Sequence, residues 1–256
     1  MQDLTMAIDW ALIAVAAFAA GVLNAVAGGG SFLTFPALVF IGLPPIVANA
    51  TSAVAVAPGY LGGVIGFRRE LKPMARDRLV QEAAVCAIGG VAGAALLIVT
   101  PASVFSAIVP WLLIFATGLF ALAPSLRKVV GHSQREHGEN KTIRFALLAL
   151  VAIYGGYFNG GLGVLLMALY SLTGPFELNS ANALKSLGSF VLSVTSVLTF
   201  AWAGAVAWPQ AIVMMLAATA GGYWGADLAR RLPERWIRAA VIGTGVVMAA
   251  IFYSRQ

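Results

Sequence analysis

Apolar residues dominate the chain in nine runs, at about 8–27, 31–41, 46–66, 79–99, 103–123, 143–172, 179–202, 207–229 and 236–253. Most reach the ~20 residues that a helix needs to cross ~30 Å of hydrocarbon. They are too long and too many to fill one soluble core. The pattern predicts an all-α polytopic membrane protein.

The polar positions inside these runs are not scattered, because the chain states nearly the same sentence twice. Gly21-Val-Leu-Asn24-Ala-Val-Ala-Gly28-Gly29-Gly30 is followed by Ala48-Asn49-Ala50-Thr51-Ser52. Gly156-Tyr-Phe-Asn159-Gly-Gly161-Leu-Gly163 is followed by Ala181-Asn182-Ala183-Leu184-Lys185-Ser186. Asn159 follows Asn24 by 135 residues and Asn182 follows Asn49 by 133. The register persists at an offset of 132, where Gly89-Gly90 and Gly93 match Gly221-Gly222 and Gly225, and Pro101 matches Pro233. Two halves with glycine-interrupted apolar segments in corresponding places are the sequence signature of a secondary transporter, with the binding site at the interruptions.

Charge decides which way the runs thread. With 60% hydrophobic and 10% charged residues, the chain lies far from the roughly one-quarter charged content of a soluble domain. Its net charge of +6 does not signal nucleic acid, because all but two of the sixteen basic residues fall in three short stretches between runs. Arg68, Arg69, Lys72, Arg76 and Arg78 form the first, and Arg127, Lys128, Arg135, Lys141 and Arg144 the second. Arg230, Arg231, Arg235 and Arg238 form the third. Such clusters mark the cytoplasmic face. All three fall on one side only if 143–172 enters the membrane, breaks at Asn159–Gly163 and turns back, with 8–41 doing the same at Gly28–Gly30. Each half is then a Gly-broken, re-entrant element followed by three transmembrane helices, and the halves are inverted repeats with the N-terminus outside. Under an alternative threading, 8–27 crosses fully and only the stretch after the glycines is a half-helix. The expected units are an N-terminal repeat over 1–124, a cytoplasmic linker over 125–142 and a C-terminal repeat over 143–256.

Candidate chemistry gathers at the breaks. Three glycines cost about 1 kcal/mol each relative to Ala in a helix interior. They also free backbone N–H and C=O groups that hydrocarbon does not tolerate. In return they expose helix N-termini, a favourable setting for an anion. Asn24, Gly28, Gly29, Gly30 and Ser31 are therefore expected to line one half of a site, and Asn159, Gly161 and Gly163 the other. Asn49, Thr51, Ser52, Asn182, Lys185 and Ser186 would complete it. Asn182, Lys185, Ser186 and Ser189 stand at i, i+3, i+4 and i+7, one helix face, which Ser193 and Ser196 continue. Lys185 is the one basic residue well inside an apolar span, away from its edges. It either meets an anionic ligand or snorkels about two turns to the interface. Gly89, Gly93, Gly221 and Gly225 read instead as helix-packing positions. The lone Cys86 reads as an apolar filler, which argues against disulfides and thiolate metal sites.

The paired pattern of Asn, glycine cluster, half-helix and Ala-Asn-Ala-Thr-Ser or Ala-Asn-Ala-Leu-Lys-Ser resembles the sulfite exporter TauE/SafE family of membrane permeases, over roughly residues 10–253. The resemblance implies a transporter of small anions, especially sulfite and organosulfonates such as sulfoacetate, in a bacterial cytoplasmic (inner) membrane. The second copy departs from a clean triple glycine, and its half-helix lacks a counterpart of Pro36. An anion channel is the rival reading. A membrane enzyme is disfavoured because the spans hold no His, no carboxylate pair and no Cys–His pair. No ATP-binding P-loop is present, so active transport would draw on ion gradients. No cofactor and no metal are expected. The expected partners are a small anionic substrate and the lipid bilayer, with a homodimer as an option and nucleic acid excluded.

Overall fold

Eleven helices account for nearly all of the described residues, which are 2–26, 29–133, 141–173, 176–231 and 234–254 of the computed structural model. In the first half, α1 (Gln2–Val26) and the short α2 (Ser31–Phe40) flank the first glycine cluster. They are followed by α3 (Pro45–Gly66), the single turn α4 (Arg68–Leu71), α5 (Arg76–Val99) and α6 (Ala102–Ser133). In the second half, α7 (Lys141–Tyr157) and α8 (Leu162–Thr173) flank the second cluster, followed by α9 (Leu178–Trp202), α10 (Trp208–Arg231) and α11 (Glu234–Ser254). Both expected breaks are present, and no strand occurs among the described residues. α6 continues as helix through Ser133, and 134–140 lie outside the described residues.

Thr5–Asn24, Arg76–Val99, Ala102–Leu122 and Asn179–Trp202 are long and apolar enough to cross a membrane. α2 and α8, at 10 and 12 residues, are about half that length. Large apolar side chains face outward, among them Phe40, Val99, Trp111 and Trp202, and Trp202 and Trp208 bracket the turn between α9 and α10. Apolar exposure on this scale fits a lipid surface, with the tryptophans at its edge.

The helices pair in a pattern that survives exchange of the halves. α1 packs on α10 as α7 packs on α5, α3 packs on α10 as α9 packs on α5, and α3 packs on α9. The first two seams run through glycine. A Cβ added to Gly93 would collide with the Ile153 carbonyl and lie 2.7 Å from the Tyr157 nitrogen, and one on Gly89 would strike Ala152. One on Gly21 would meet the Ala218 carbonyl, and one on Gly221 the Phe18 carbonyl. These glycines therefore serve backbone-to-backbone packing, as the sequence predicts for Gly89, Gly93 and Gly221; the surroundings of Gly225 lie outside the description. Gly93→Ala should cost about 1–3 kcal/mol, because backbone cannot give way as a flexible side chain can. Gly62→Ala, where an added Cβ meets nothing within 4 Å, should hold or gain stability. Melting temperatures of the two variants in detergent check the contrast; equal losses would mean that the seam is not close-packed.

Two buried polar groups lie where the sequence places a solvated cation. Arg144, expected as a loop charge, is 1% exposed, and its Nη2 stands 3.3 Å from Glu82 Oε1. The Tyr170 hydroxyl donates to Glu82 Oε2 at 2.9 Å. Arg144 also lies 4.8 Å from the Phe145 ring centre. The ion pair thus ties α5 to α7, and Tyr170 adds α8.

Candidate functional site

Each break is closed by its own asparagine or by a neighbouring hydroxyl. Asn24 Oδ1 accepts from the Gly30 N–H at 3.3 Å, and the Gly29 and Gly30 carbonyls start α2 by accepting from Phe32 and Leu33. In the second break Asn159 Oδ1 accepts from the Tyr60 hydroxyl at 3.0 Å, and the Tyr154 hydroxyl donates to the Gly160 carbonyl at 2.7 Å. Gly161 has φ +76°, a conformation in which a side chain is strained. Asn24 in the first break and Tyr154 in the second are therefore part of what makes the broken backbone tolerable, a task the sequence reading did not give them.

Between the halves lies a cavity of about 460 Å³. Its wall on α3 is a glycine stripe, Gly59, Gly62, Gly63 and Gly66, with Tyr60 among them. Facing the stripe are Lys185, Ser186 and Ser189 of α9. Gly21 and Asn24 of α1, Gly163 of α8, and Thr219, Gly222 and Tyr223 of α10 complete the polar and glycine lining. The stripe runs at i, i+3, i+4 and i+7, so one helix face lacks side chains and the space belongs to whatever occupies the cavity. A Cβ on Gly63 would stand 2.9 Å from Ser186 Oγ, and one on Gly59 would stand 3.0 Å from Asn24 Nδ2. The cavity opens at the α3 end next to the Arg68–Arg78 cluster, where Gly62 and Gly66 are exposed and Tyr223 sits at the rim. At the other end of α3, Ala48–Val56 are buried without interruption.

Of the residues expected at the site, Asn24, Gly163, Lys185 and Ser186 line this cavity. Asn159 is one contact behind it, holding the lining residue Tyr60. The others are packed into the protein. Asn49 Nδ2 donates to the Tyr157 carbonyl at 3.0 Å, tying α3 to the end of α7. Thr51 Oγ1 accepts from the Ala207 N–H at 3.0 Å, and Ser52 and Thr34 share a buried hydrogen bond of 2.6 Å. Gly29, Gly30 and Ser31 are buried at the start of α2, and Gly161 faces Ala116. Asn182 is half-buried and its carbonyl accepts from Ser186 Oγ at 2.8 Å. Gly28 lies outside the described residues. The aromatic residues beside the breaks are core rather than lining: Phe35 packs on Phe158 and Phe252, and Tyr157 on Phe105. The glycine stripe and Tyr60 are the site features that the sequence reading missed. Their signal was the period of the glycines in what looked like an ordinary span.

Broken helices around a cavity whose one charged lining residue, among the described residues, is Lys185, set in an apolar helical bundle, fit a membrane transporter. The chain belongs to the family described as Sulfite exporter TauE/SafE, which matches residues 13–252. Among curated relatives, a "Probable membrane transporter protein ORF9" of Sinorhizobium sp. is 28% identical, over 97% of this chain and 94% of that protein. The "Probable membrane transporter protein YfcA" of Escherichia coli (strain K12) is 30% identical over 91% of this chain and 86% of its own length. A "Probable membrane transporter protein" of Haemophilus influenzae is 29% identical over 94% and 92% of the two chains. No solved structure matches the chain.

Proposed function

We propose that this transporter is a secondary carrier of a small oxyanion of the sulfite or organosulfonate class, working by alternating access in a bacterial cytoplasmic membrane. The observation that carries this reading is the cavity lining: among the described residues Lys185 is its one charged side chain, and Asn24, Ser186, Ser189 and Thr219 line the same cavity. In a poorly solvated site such a cation favours an anionic occupant, and hydroxyl and amide donors supply neutral contacts to its oxygens. Gly163 brings the N-terminal turn of α8 to the cavity wall, which adds a positive dipole end. At 460 Å³ the space falls within the ~300–1,000 Å³ of small-molecule sites, room for an organosulfonate as well as bare sulfite.

On this reading the basic loops are cytoplasmic and the cavity mouth opens beside them, with 1–124 and 143–256 as inverted repeats joined through 125–142. The unbroken burial of Ala48–Val56 favours a carrier over an anion channel, since it leaves α3 packed on the side away from the mouth. A thermal-shift titration of the purified protein with sulfite, taurine, sulfoacetate, aryl sulfonates and simple carboxylates tests the substrate class. Saturable stabilisation by sulfite or by a sulfonate is expected, about 2.7 kcal/mol at a hundred times Kd. Stabilisation by carboxylates alone, or by none of these anions, would sink the assignment.

A further inference from the structure

The repeat register can be applied to the cavity itself. The offset of 133 residues carries Tyr60 and Gly63 of α3 onto Ser193 and Ser196 of α9, and carries Lys185 and Ser189 back onto Ser52 and Val56. The offsets of 135 and 132 carry Asn24 onto Asn159 and Gly222 onto Gly90. These six counterparts are buried, with Ser193 and Ser52 at 1% exposure and Ser196 at 2%, while those of the rim residues Gly62, Gly66 and Tyr223, which are Thr195, Thr199 and Val91, are half-buried or exposed. Four of the six are polar, in the half of the molecule where an apolar core would be the cheaper solution. Three of those four are satisfied: Ser52 by Thr34, Asn159 by Tyr60, and Ser196 by the Gly90 and Leu192 carbonyls. Ser193 Oγ has no hydrogen-bond partner among the described residues. A buried hydroxyl left unpaired is destabilising relative to a methyl group, so its presence calls for a state in which it is paired.

We propose that this mirror set is a second, closed half-site for the same small oxyanion, opening to the face opposite the cavity. The Tyr60–Asn159 hydrogen bond is its latch. Ser193 occupies the place in α9 that Tyr60 occupies in α3, and it becomes a ligand or water contact when the latch releases. The proposal rests on the carrier reading above. Tyr60 acts as a positioning residue: its ring lines the open cavity while its hydroxyl holds the break of the second half at Asn159. The halves are unequal, because Lys185 maps onto Ser52, so the cation serves the open cavity and has no equivalent in the mirror set.

The test places a cysteine at Ser193 and, separately, at Gly66, and exposes each protein to a charged, impermeant methanethiosulfonate. Intact cells present the outer face and inside-out vesicles the inner one. The parent, whose single Cys86 is buried, is the blank. Ser193→Cys should label from the outer face and Gly66→Cys from the inner. Adding Tyr60→Phe should speed outer labelling at 193 roughly three- to tenfold, the weight of one neutral hydrogen bond on the opening equilibrium. If Ser193→Cys does not yield folded protein, Ser196→Cys takes its place with the same expectation. Thermal-shift binding of sulfoacetate is measured on the same proteins. A cysteine at 193 or 196 that stays inert from outside, with and without Tyr60→Phe, in protein that still binds the anion, would overturn the half-site and leave the carrier's substrate intact. Outer labelling in protein that binds none of the tested anions would support the half-site and remove the substrate class.

Discussion

Lys185→Ala should weaken binding of the transported anion about ten- to a hundredfold while the protein stays folded, since a hydrogen bond to a charged group is worth about 1.5–3 kcal/mol. The expectation follows from the cavity's composition. Among the described residues its other polar lining groups are neutral, so the alanine variant loses the one charge they present as well as one donor. Lys185→Gln keeps the length and a donor but removes the charge, and should fall between alanine and the parent. Lys185→Arg should not restore full affinity, because a planar guanidinium fork cannot repeat the contacts of a compact ammonium against glycine-lined backbone. Thermal-shift or calorimetric titration with sulfite and sulfoacetate measures all four proteins. Equal affinity in parent and well-folded alanine variant would mean that the lysine reaches for the membrane interface instead of the ligand.

Arg144→Met should be the most destabilising single change described here, at about 3–5 kcal/mol, because it strips a buried carboxylate of this cation. Glu82 is 1% exposed, so water cannot replace the guanidinium without opening the seam between α5 and α7. The double variant Glu82→Met/Arg144→Met should regain most of the loss, since two apolar side chains of similar volume remove both desolvation penalties. Tyr170→Phe removes one hydrogen bond to the charged pair and should cost about 1.5–3 kcal/mol. Melting temperature and monodispersity in detergent report the order. A single Arg144→Met variant as stable as the parent would show that the pair is hydrated and contributes little. The arrangement is one-sided: Arg144 corresponds to Asp9 at the 135-residue offset and Glu82 to Met214 at 132, so the matching seam between α1 and α10 has no such pair.

Several features needed nothing beyond the chain. Long apolar runs, basic clusters between them and a duplicated Asn-glycine phrase dictate a helical membrane bundle with two broken elements. The reason is that unpaired backbone in hydrocarbon is too costly to occur without purpose. The glycines spaced four apart were legible as packing for the same reason: a missing Cβ in an apolar helix is a place where another backbone comes close. Lys185 was legible as a candidate, and it does line the cavity, because a cation in an apolar span must meet something.

Which polar residues meet the cavity and which hold the fold was not legible. Asn49, Thr51, Ser52, Lys185 and Ser186 belong to matching phrases, and only their neighbours decide their roles. Thr34 comes close enough to bond Ser52, Ala207 claims Thr51, and the end of α7 claims Asn49, while α3 offers Lys185 and Ser186 a face of bare glycine. The same holds for Arg144, whose place next to a polar loop reads as solvated until α5 brings Glu82 against it. A sequence fixes the chemical options of each side chain through its own atoms and its helical period. The choice among them depends on what lies within about 3 Å across a helix interface, and that is set by residues from 18 to 156 positions away in the chain.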